Sequence, residues 1–425
     1  MSRSDTHDKD LVAMIGIDWA DKKHDVAILD IATGQRDQLQ IEQKPEALIA
    51  WVRTLQERYG DGPIGVCLEQ SRGPLIYSLM QHGLFRLYPI NPKAFKNFRK
   101  ALRPSGAKSD KSDAKLLLEY LQKHREYLKA WIPDDVQTRL LGLLVEDRLA
   151  TVRDRTRLAN RLTAVLKGYF PQALDWAGEM IFTPLACRFL TRWPRLDSVQ
   201  RADEKTIRAF YYAHKSRRAD LIEQRIQQIK AAIPLSTDEA ILEASIRRVQ
   251  AIVPQIQQLN KVIAEYDKRI YDLFVQRQDA PLFRDLPGAG KQLAPRLLVA
   301  FGTQKDRFES AMELQSYSGI APVTEQTGQP APWIHWRLAC PEFLRQTFHE
   351  FSAASRRRSL WANVYYEQQR AAGKNHHAAI RQLAYKWIRI LYRCWIDNVP
   401  YDEQRYLKAL ERRGSPLVKL IQAAV

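Results

Sequence analysis

Residues 14–90 alternate between two hydrophobic periods. "MIGIDWA" and "DVAILDI" are short β-type runs joined by the polar "DKKH", which predicts a hairpin, and "QLQIEQ" predicts a third strand. "KPEALIAWVRTLQERYG" places Leu48, Trp51, Val52 and Leu55 at helical spacing and stops at Gly60. "IGVCLEQ" then predicts a strand, "PLIYSLMQHG" a short helix ending at Gly83, and "LFRLYPINP" a last strand.

From about Leu140 the period becomes helical throughout. "LLGLLVEDRLATVRDRTRLANRLTAVLKGYF" has apolar residues at Leu141, Leu144, Val145, Leu149, Val152, Leu158, Leu162 and Val165, near a coiled-coil repeat, with arginines on the polar face. A second tract runs from about Arg218 to Phe274, which Pro234 and Pro254 are expected to bound or kink. Two such tracts around a less regular middle predict an antiparallel helical hairpin: a plain spacer, or a stalk that dimerises or grips RNA. "LFRDLPGAGKQLAPRLLVAFG" predicts a glycine turn between helices, of a kind that lets backbone N–H groups approach a phosphate. "LQSYSGIAPVTEQTGQ" reads as a loop, and a helical region rich in Trp and Arg follows to about Trp395.

Three strands in series, then helix, strand, helix and strand, is the order of a ribonuclease-H-like α/β domain. The fold class expected is therefore an α/β ribonuclease-H-like N-terminal domain (12–130), a helical, coiled-coil-like middle (131–280) and a mainly α C-terminal domain (281–425).

Charge narrows the partners. The chain has 66 Lys and Arg against 48 Asp and Glu, a net +18, which suits a polyanion, foremost nucleic acid. Its apolar fraction of 45% is that of a folded protein. The polar start and the lack of any membrane-length apolar run lead to the expectation of a soluble, unexported, cytoplasmic protein. Cys67, Cys187, Cys340 and Cys394 lie far apart without a CxxC pair, which argues against a disulfide scaffold and a cysteine zinc ribbon.

Asp18 poses the chemical question, because a carboxylate within an apolar strand costs several kcal/mol unless something compensates it. It sits where a strand should end, Glu69 holds the matching place after "IGVCL", and Asp110 and Asp113 are three apart at a helix start, on one face. Four carboxylates from two strands and a helix are what a pair of divalent ions needs for phosphoryl displacement, and hard oxygens favour magnesium. Lys93, Lys96, Arg99, Lys100, Arg103, Lys108, Lys111 and Lys115 crowd the approach, as a phosphate-binding floor would. Each acid also has a plainer use: Asp110 as an N-cap, Asp113 in a surface ion pair, Glu69 as a solvated strand end.

"GIDWA", "LEQSRG", "NPKAFKNF" and "KSDKSDAKLL" resemble the RuvC-like domain of the DEDD transposases of bacterial insertion sequences, a group that includes the Piv invertase and the bridge-RNA-guided recombinases. "LPGAGKQLAPRLLVAFG", "FESAMELQSYSGIAPVTEQTG" and "LAYKWIRILYRCW" resemble the C-terminal domain of that family. The resemblance covers both ends of the chain. It implies a site-specific recombinase of an insertion sequence, with Asp18, Glu69, Asp110 and Asp113 holding Mg²⁺ as the catalytic DEDD set. It further implies DNA as donor and target, a structured guide RNA, a dimer or tetramer acting in the bacterial cytoplasm at the nucleoid, and a serine nucleophile before a glycine after "GIAP". Here that position is Thr327, which keeps the hydroxyl but restricts its rotamer.

Ser318 is a poor substitute for it, since it stands before the earlier glycine. A tyrosine recombinase would need an HxxR pair, whereas "HAAIRQLAY" puts three residues between His377 and Arg381. Lys291, Arg337, Arg356, Arg357 and Arg358 are candidate phosphate contacts, as are Lys108, Lys111 and Lys115. Two other functions fit the residues: a RuvC-like structure-selective endonuclease of the Holliday-junction-resolvase type, and a nucleic-acid-binding protein without catalysis.

Overall fold

The computed structural model describes residues 11–69, 73–102, 110–178, 180–325, 333–337 and 340–423, without the side chains of 110–112, 325 and 333. It divides into two compact units, Met1–Asp134 and Asp135–Val425.

The first unit is a five-stranded mixed sheet with helices. In chain order it runs β1 (Ala13–Asp18), β2 (Lys23–Asp30), β3 (Arg36–Glu42), α1 (Pro45–Tyr59), β4 (Ile64–Leu68), α2 (Pro74–Leu79), β5 (Phe85–Pro89), α3 (Pro92–Leu102) and α4 (Asp110–His124). The strand order is β3-β2-β1-β4-β5, with β1, β4 and β5 parallel and β2 antiparallel to both neighbours. Strands β1 and β4 are covered on both faces, which is why they read as unbroken apolar runs. Ala13, Ile15 and Ile17 enter one core with Leu48, Trp51 and Leu55 of α1, while Met14 and Cys67 enter the other with Leu117 and Leu121 of α4. Helix α1 opens on Pro45, and Gly60 (φ 59°) ends it, as the sequence pattern predicts.

The second unit is mainly helical. Helix α5 (Val136–Tyr169) is capped by Asp135, whose carboxylate accepts from the Gln137 and Thr138 amides at 3.0 and 3.1 Å. Then come α6 (Ala173–Trp176), α7 (Pro184–Arg192), α8 (Leu196–Gln200), α9 (Glu204–Ala213), α10 (Ala219–Ala231) and α11 (Glu239–Val275). The expected antiparallel hairpin is formed by α5 and α11. Arg148 grips Asp267 through two bonds of 2.6 and 3.2 Å, and Arg155 reaches Asn260 at 3.0 Å. The second tract is two helices rather than one, with Pro234 in the link between α10 and α11, and Pro254 lies inside α11 instead of ending it. A proline costs a helix one N–H bond, and the packing of Val249, Ile252, Val253 and Ile256 around it outweighs that loss.

The hairpin joins two cores. One end of it, through Leu162, Leu166 and Ile256, packs with Phe170, Trp176, Phe189 and Tyr211. The other end, through Leu141, Val145, Ile270 and Phe274, packs with the last part of the chain. That part comprises α12 (Pro281–Arg284), α13 (Gly290–Phe301), α14 (Ala311–Tyr317), β6 (Val323–Glu325), β7 (Trp333–His335), α15 (Glu342–Ser355), α16 (Leu360–Ala371), α17 (His376–Asp397), α18 (Glu403–Arg412) and α19 (Pro416–Gln422). Strands β6 and β7 form an antiparallel pair where the sequence reads as a loop. Three residues a side are too few for a period-2 pattern to register. No helix among the described residues is long and apolar enough to cross a membrane.

Candidate active site

Strand register brings the first two acids together. Gly16 pairs with Cys67 and Ile17 with Leu68, so Asp18, the last residue of β1, and Glu69, the first beyond β4, come next in line at neighbouring parallel strand ends. Alternation puts Asp18 on the same face as Gly16, and Glu69 on that of Cys67. The Glu69 charge, second to burial itself, helps push the Cys67 thiol pKa upward, in keeping with that shared face.

Helix α4 covers that face at very short range. A Cβ on Gly16 would lie 2.2 Å from the Ala114 carbonyl oxygen and 2.3 Å from the Leu118 amide nitrogen. Only glycine permits this approach, and it lays the residue before Ala114, Asp113, toward the ends of β1 and β4. Asp113 is 4% exposed. Its Oδ2 accepts from Arg99 Nη1 of α3 at 2.6 Å, while its Oδ1 is buried with no hydrogen-bond partner among the described residues. Asp110 opens α4, but its side chain, like that of Lys111, lies outside the described residues, as does Lys108 altogether.

The donor chemistry suits a hard divalent cation, and the orphaned buried Oδ1 of Asp113 is an oxygen in want of one. Among the described residues no group of three or more His, Cys, Asp or Glu side chains is close enough to hold a metal ion. Around the acids, α3 buries Phe95 and turns Lys93, Lys96 and Lys100 outward, and Lys115 is exposed on α4. Arg99 was legible only as one base in a crowd. Its partnership with Asp113, across a stretch outside the described residues, has no local sequence signal.

The second unit holds the remaining candidates. Thr327 lies outside the described residues, in the segment joining β6 to β7. Ser318 is buried and its hydroxyl donates to the Gln315 carbonyl at 3.2 Å. The "PGAG" turn shows a packing role: Gly288 has φ 83°, and a Cβ there would lie 2.6 Å from the Ala354 backbone of α15. Lys291 is exposed, its Nζ 5.0 Å from the Tyr271 ring centre. Arg337 is half-buried. Arg356 stacks 3.3 Å over Tyr366 and pairs with Glu367 at 3.2 Å, whereas Arg357 and Arg358 are exposed. The tryptophans divide as well, with Trp361, Trp387 and Trp395 buried in the core and Trp336 at 44% exposure.

A mixed sheet with carboxylates at its strand ends, joined in sequence to a helical unit in a strongly basic chain, is compatible with many nucleic-acid enzymes, and comparison with known proteins identifies the class as an insertion-sequence transposase. The family model DEDD_Tnp_IS110, described as a transposase, matches residues 15–171, and that of the transposase IS116/IS110/IS902 family matches 280–367. The chain belongs to the IS110-type DEDD transposase family. It is 27% identical to the IS117 mini-circle protein of Streptomyces coelicolor over 93% of this chain and 96% of that one. It is 24% identical to the 42 kDa protein of insertion element IS900 of Mycobacterium paratuberculosis, over 83% of this chain and 87% of the other. The 44.8 kDa protein of IS116 from Streptomyces clavuligerus is 24% identical, with 75% and 78% covered. The chain is thus a DNA transposase by family, with DNA as its substrate.

Proposed function

We propose that this transposase is a site-specific DNA recombinase whose N-terminal unit is a RuvC-like domain, with Asp18, Glu69, Asp110 and Asp113 holding magnesium. The observation that carries the reading is the contact of α4 with Gly16, which directs a buried, half-satisfied aspartate toward the ends of two parallel strands. Bound there, magnesium supplies Lewis acidity to a phosphoryl oxygen. The chain does the rest. Arg99 fixes the orientation of Asp113 through its 2.6 Å bond. Lys93, Lys96, Lys100 and Lys115 hold the DNA backbone by phosphate contacts, together with Lys108 and Lys111. Thr327 is the nucleophile: its hydroxyl oxygen forms an ester to phosphorus as the P–O bond to the leaving strand breaks, and the leaving oxygen takes up a proton. The net charge of +18 and the family relationship support a structured guide RNA and a homo-oligomer as further partners, working in the bacterial cytoplasm.

Asp18→Asn tests the reading. It should bind DNA within about threefold of the wild type, since binding rests on phosphate contacts, while strand joining falls by at least ~10³-fold. On a suicide DNA substrate the wild type should leave a covalent protein–DNA species that Thr327→Ala does not form. Full-rate joining by Asp18→Asn would remove the metal site from the mechanism.

A further inference from the structure

The helical unit contains a cluster of three histidines and an arginine. His349 of α15 and His377 of α17 face each other with ring centres 5.4 Å apart, and His376 lies 5.2 Å from His377. Arg381 is one turn beyond His377 on α17, hence on the same side of that helix. Its guanidinium stacks on the exposed indole of Trp336, 2.8 Å from the ring centre, just past β7. Stacking engages the face of the guanidinium and not the N–H groups along its edge, and one of its nitrogens, Nη1, is buried with no hydrogen-bond partner among the described residues.

The nearby acids are engaged elsewhere. Glu350 is held by Arg296 and by Gln346, and Glu367 by Arg356. Among the described residues, His349, His377 and Arg381 have no carboxylate partner. Burial, reinforced by His377, Arg381 and His376, holds the His349 pKa down to about 4. Arg381 is thus a partly buried cation with no carboxylate partner among the described residues, which an anion would relieve, and the uncharged His349 ring and the exposed His377 ring offer N–H groups beside it. An exposed aromatic ring beside the cluster adds a surface on which a nucleotide can rest.

We propose that His349, His377 and Arg381 form a binding site for a phosphodiester of the DNA substrate, with Trp336 as its apolar wall. The site stands at the foot of the β6–β7 pair, on the strand exit that follows the segment carrying Thr327. The inference rests on DNA being the substrate, and on neither the metal site nor the role of Thr327. It gives a use to the "HAAIR" spacing: three intervening residues fail a tyrosine recombinase and suit two groups on one helical face.

The test is DNA binding in EDTA, where no strand chemistry occurs, with a fluorescent 30-base-pair duplex followed by anisotropy across a salt series. Arg381→Gln should bind about tenfold more weakly and lower the slope of log affinity against log salt by about one. Arg389→Gln, which removes the same charge from an exposed site further along α17, should change binding about twofold or less. If Arg381→Gln melts like the wild type and binds like Arg389→Gln, there is no such site. If Arg381→Gln does not fold, the exposed His377→Ala takes its place: a loss of about threefold supports the site, and unchanged binding overturns it. A loss seen with duplex RNA of equal length but not with DNA overturns the assignment to DNA. Failure here leaves the Asp18→Asn result untouched, so the two readings fall separately.

Discussion

The two charged clusters are built by opposite means. In the sheet unit, parallel pairing sets Asp18 and Glu69 at neighbouring strand ends, and a glycine lets α4, which carries Asp113, pack closely on β1. One arginine of the same unit, Arg99, balances part of that charge, and the other oxygen of Asp113 has no hydrogen-bond partner among the described residues. In the helical unit, histidines gather beside Arg381 on the faces of α15 and α17, and among the described residues the only carboxylate felt there is Glu350, whose pull on His349 is outweighed by burial and the neighbouring bases. A cluster tied to backbone geometry should therefore be mechanically sensitive, and one made of helix-face side chains should be electrically sensitive. That contrast can be broken in three places.

The largest effect belongs to Gly16→Val. Both nearest atoms, at 2.2 and 2.3 Å, are backbone of α4, so no flexible side chain can yield. The helix must lift off β1, and chemical denaturation should report a loss of about 3 kcal/mol or more. Gly290→Ala at the turn before α13 is the counterpart. Its Cβ would meet nothing within 4 Å, and only the φ of 56° resists, at a cost of about 1 kcal/mol. Equal costs would mean that α4 is not held against the sheet as described.

The next effect separates balanced from unbalanced charge. Arg99→Leu strands a carboxylate that is 5% exposed, and its removal should destabilise the protein by about 2–3 kcal/mol in thermal or denaturant unfolding. Arg381→Leu strands no acid among the described residues, so it should cost less than about 1 kcal/mol despite losing its stack on Trp336. If Arg381→Leu proves the more damaging, its role is structural and the cluster does not wait for an anion.

How far these features were legible follows from the kind of signal each leaves. Strand β1 and the position of Asp18 at its end show in the local pattern, because an apolar run that stops at a polar residue is a statement about neighbours in sequence. The hairpin of α5 and α11 shows for the same reason, through a helical period sustained over many turns. Gly16 showed only as a glycine two residues before Asp18, since its contact is with residues about a hundred positions away. The partnership of Arg99 with Asp113 and the meeting of His349 with Arg381 are long-range too, and surrounding residues of like type hide them. Pro254 shows the limit of a local rule, which leaves open whether it bounds a helix or lies within one. Its local cost is real, but burial of its neighbours on α11 overrides it.

The smallest effect is a pH dependence, and its sign is fixed by the direction of the shift. His349 has an ordinary pKa of 6.5 and is held to about 4 in the folded protein, first by burial and then by His377, Arg381 and His376, with Glu350 opposing. Between pH 6.5 and 4 the unfolded chain binds a proton there that the folded chain refuses, so stability must fall as pH falls through that window and stay flat above it. After allowance for solvent screening of a half-buried ring, the contribution is about 1–2 kcal/mol. His24, His214 and His376 also have lowered pKa values and titrate in the same direction, but they remain in both proteins when wild type is compared with His349→Gln. The lowered carboxylates of the sheet unit, Asp30, Asp37 and Glu42, lose their contribution only as pH drops below their ordinary 3.8 and 4.5, beneath the pH 5 at which the curves are compared. The difference between the two stability curves at pH 7.5 and pH 5 therefore isolates the basic cluster. His349→Gln should give the flatter acid limb, and parallel curves would mean that the ring is solvated and the cluster carries no unbalanced charge.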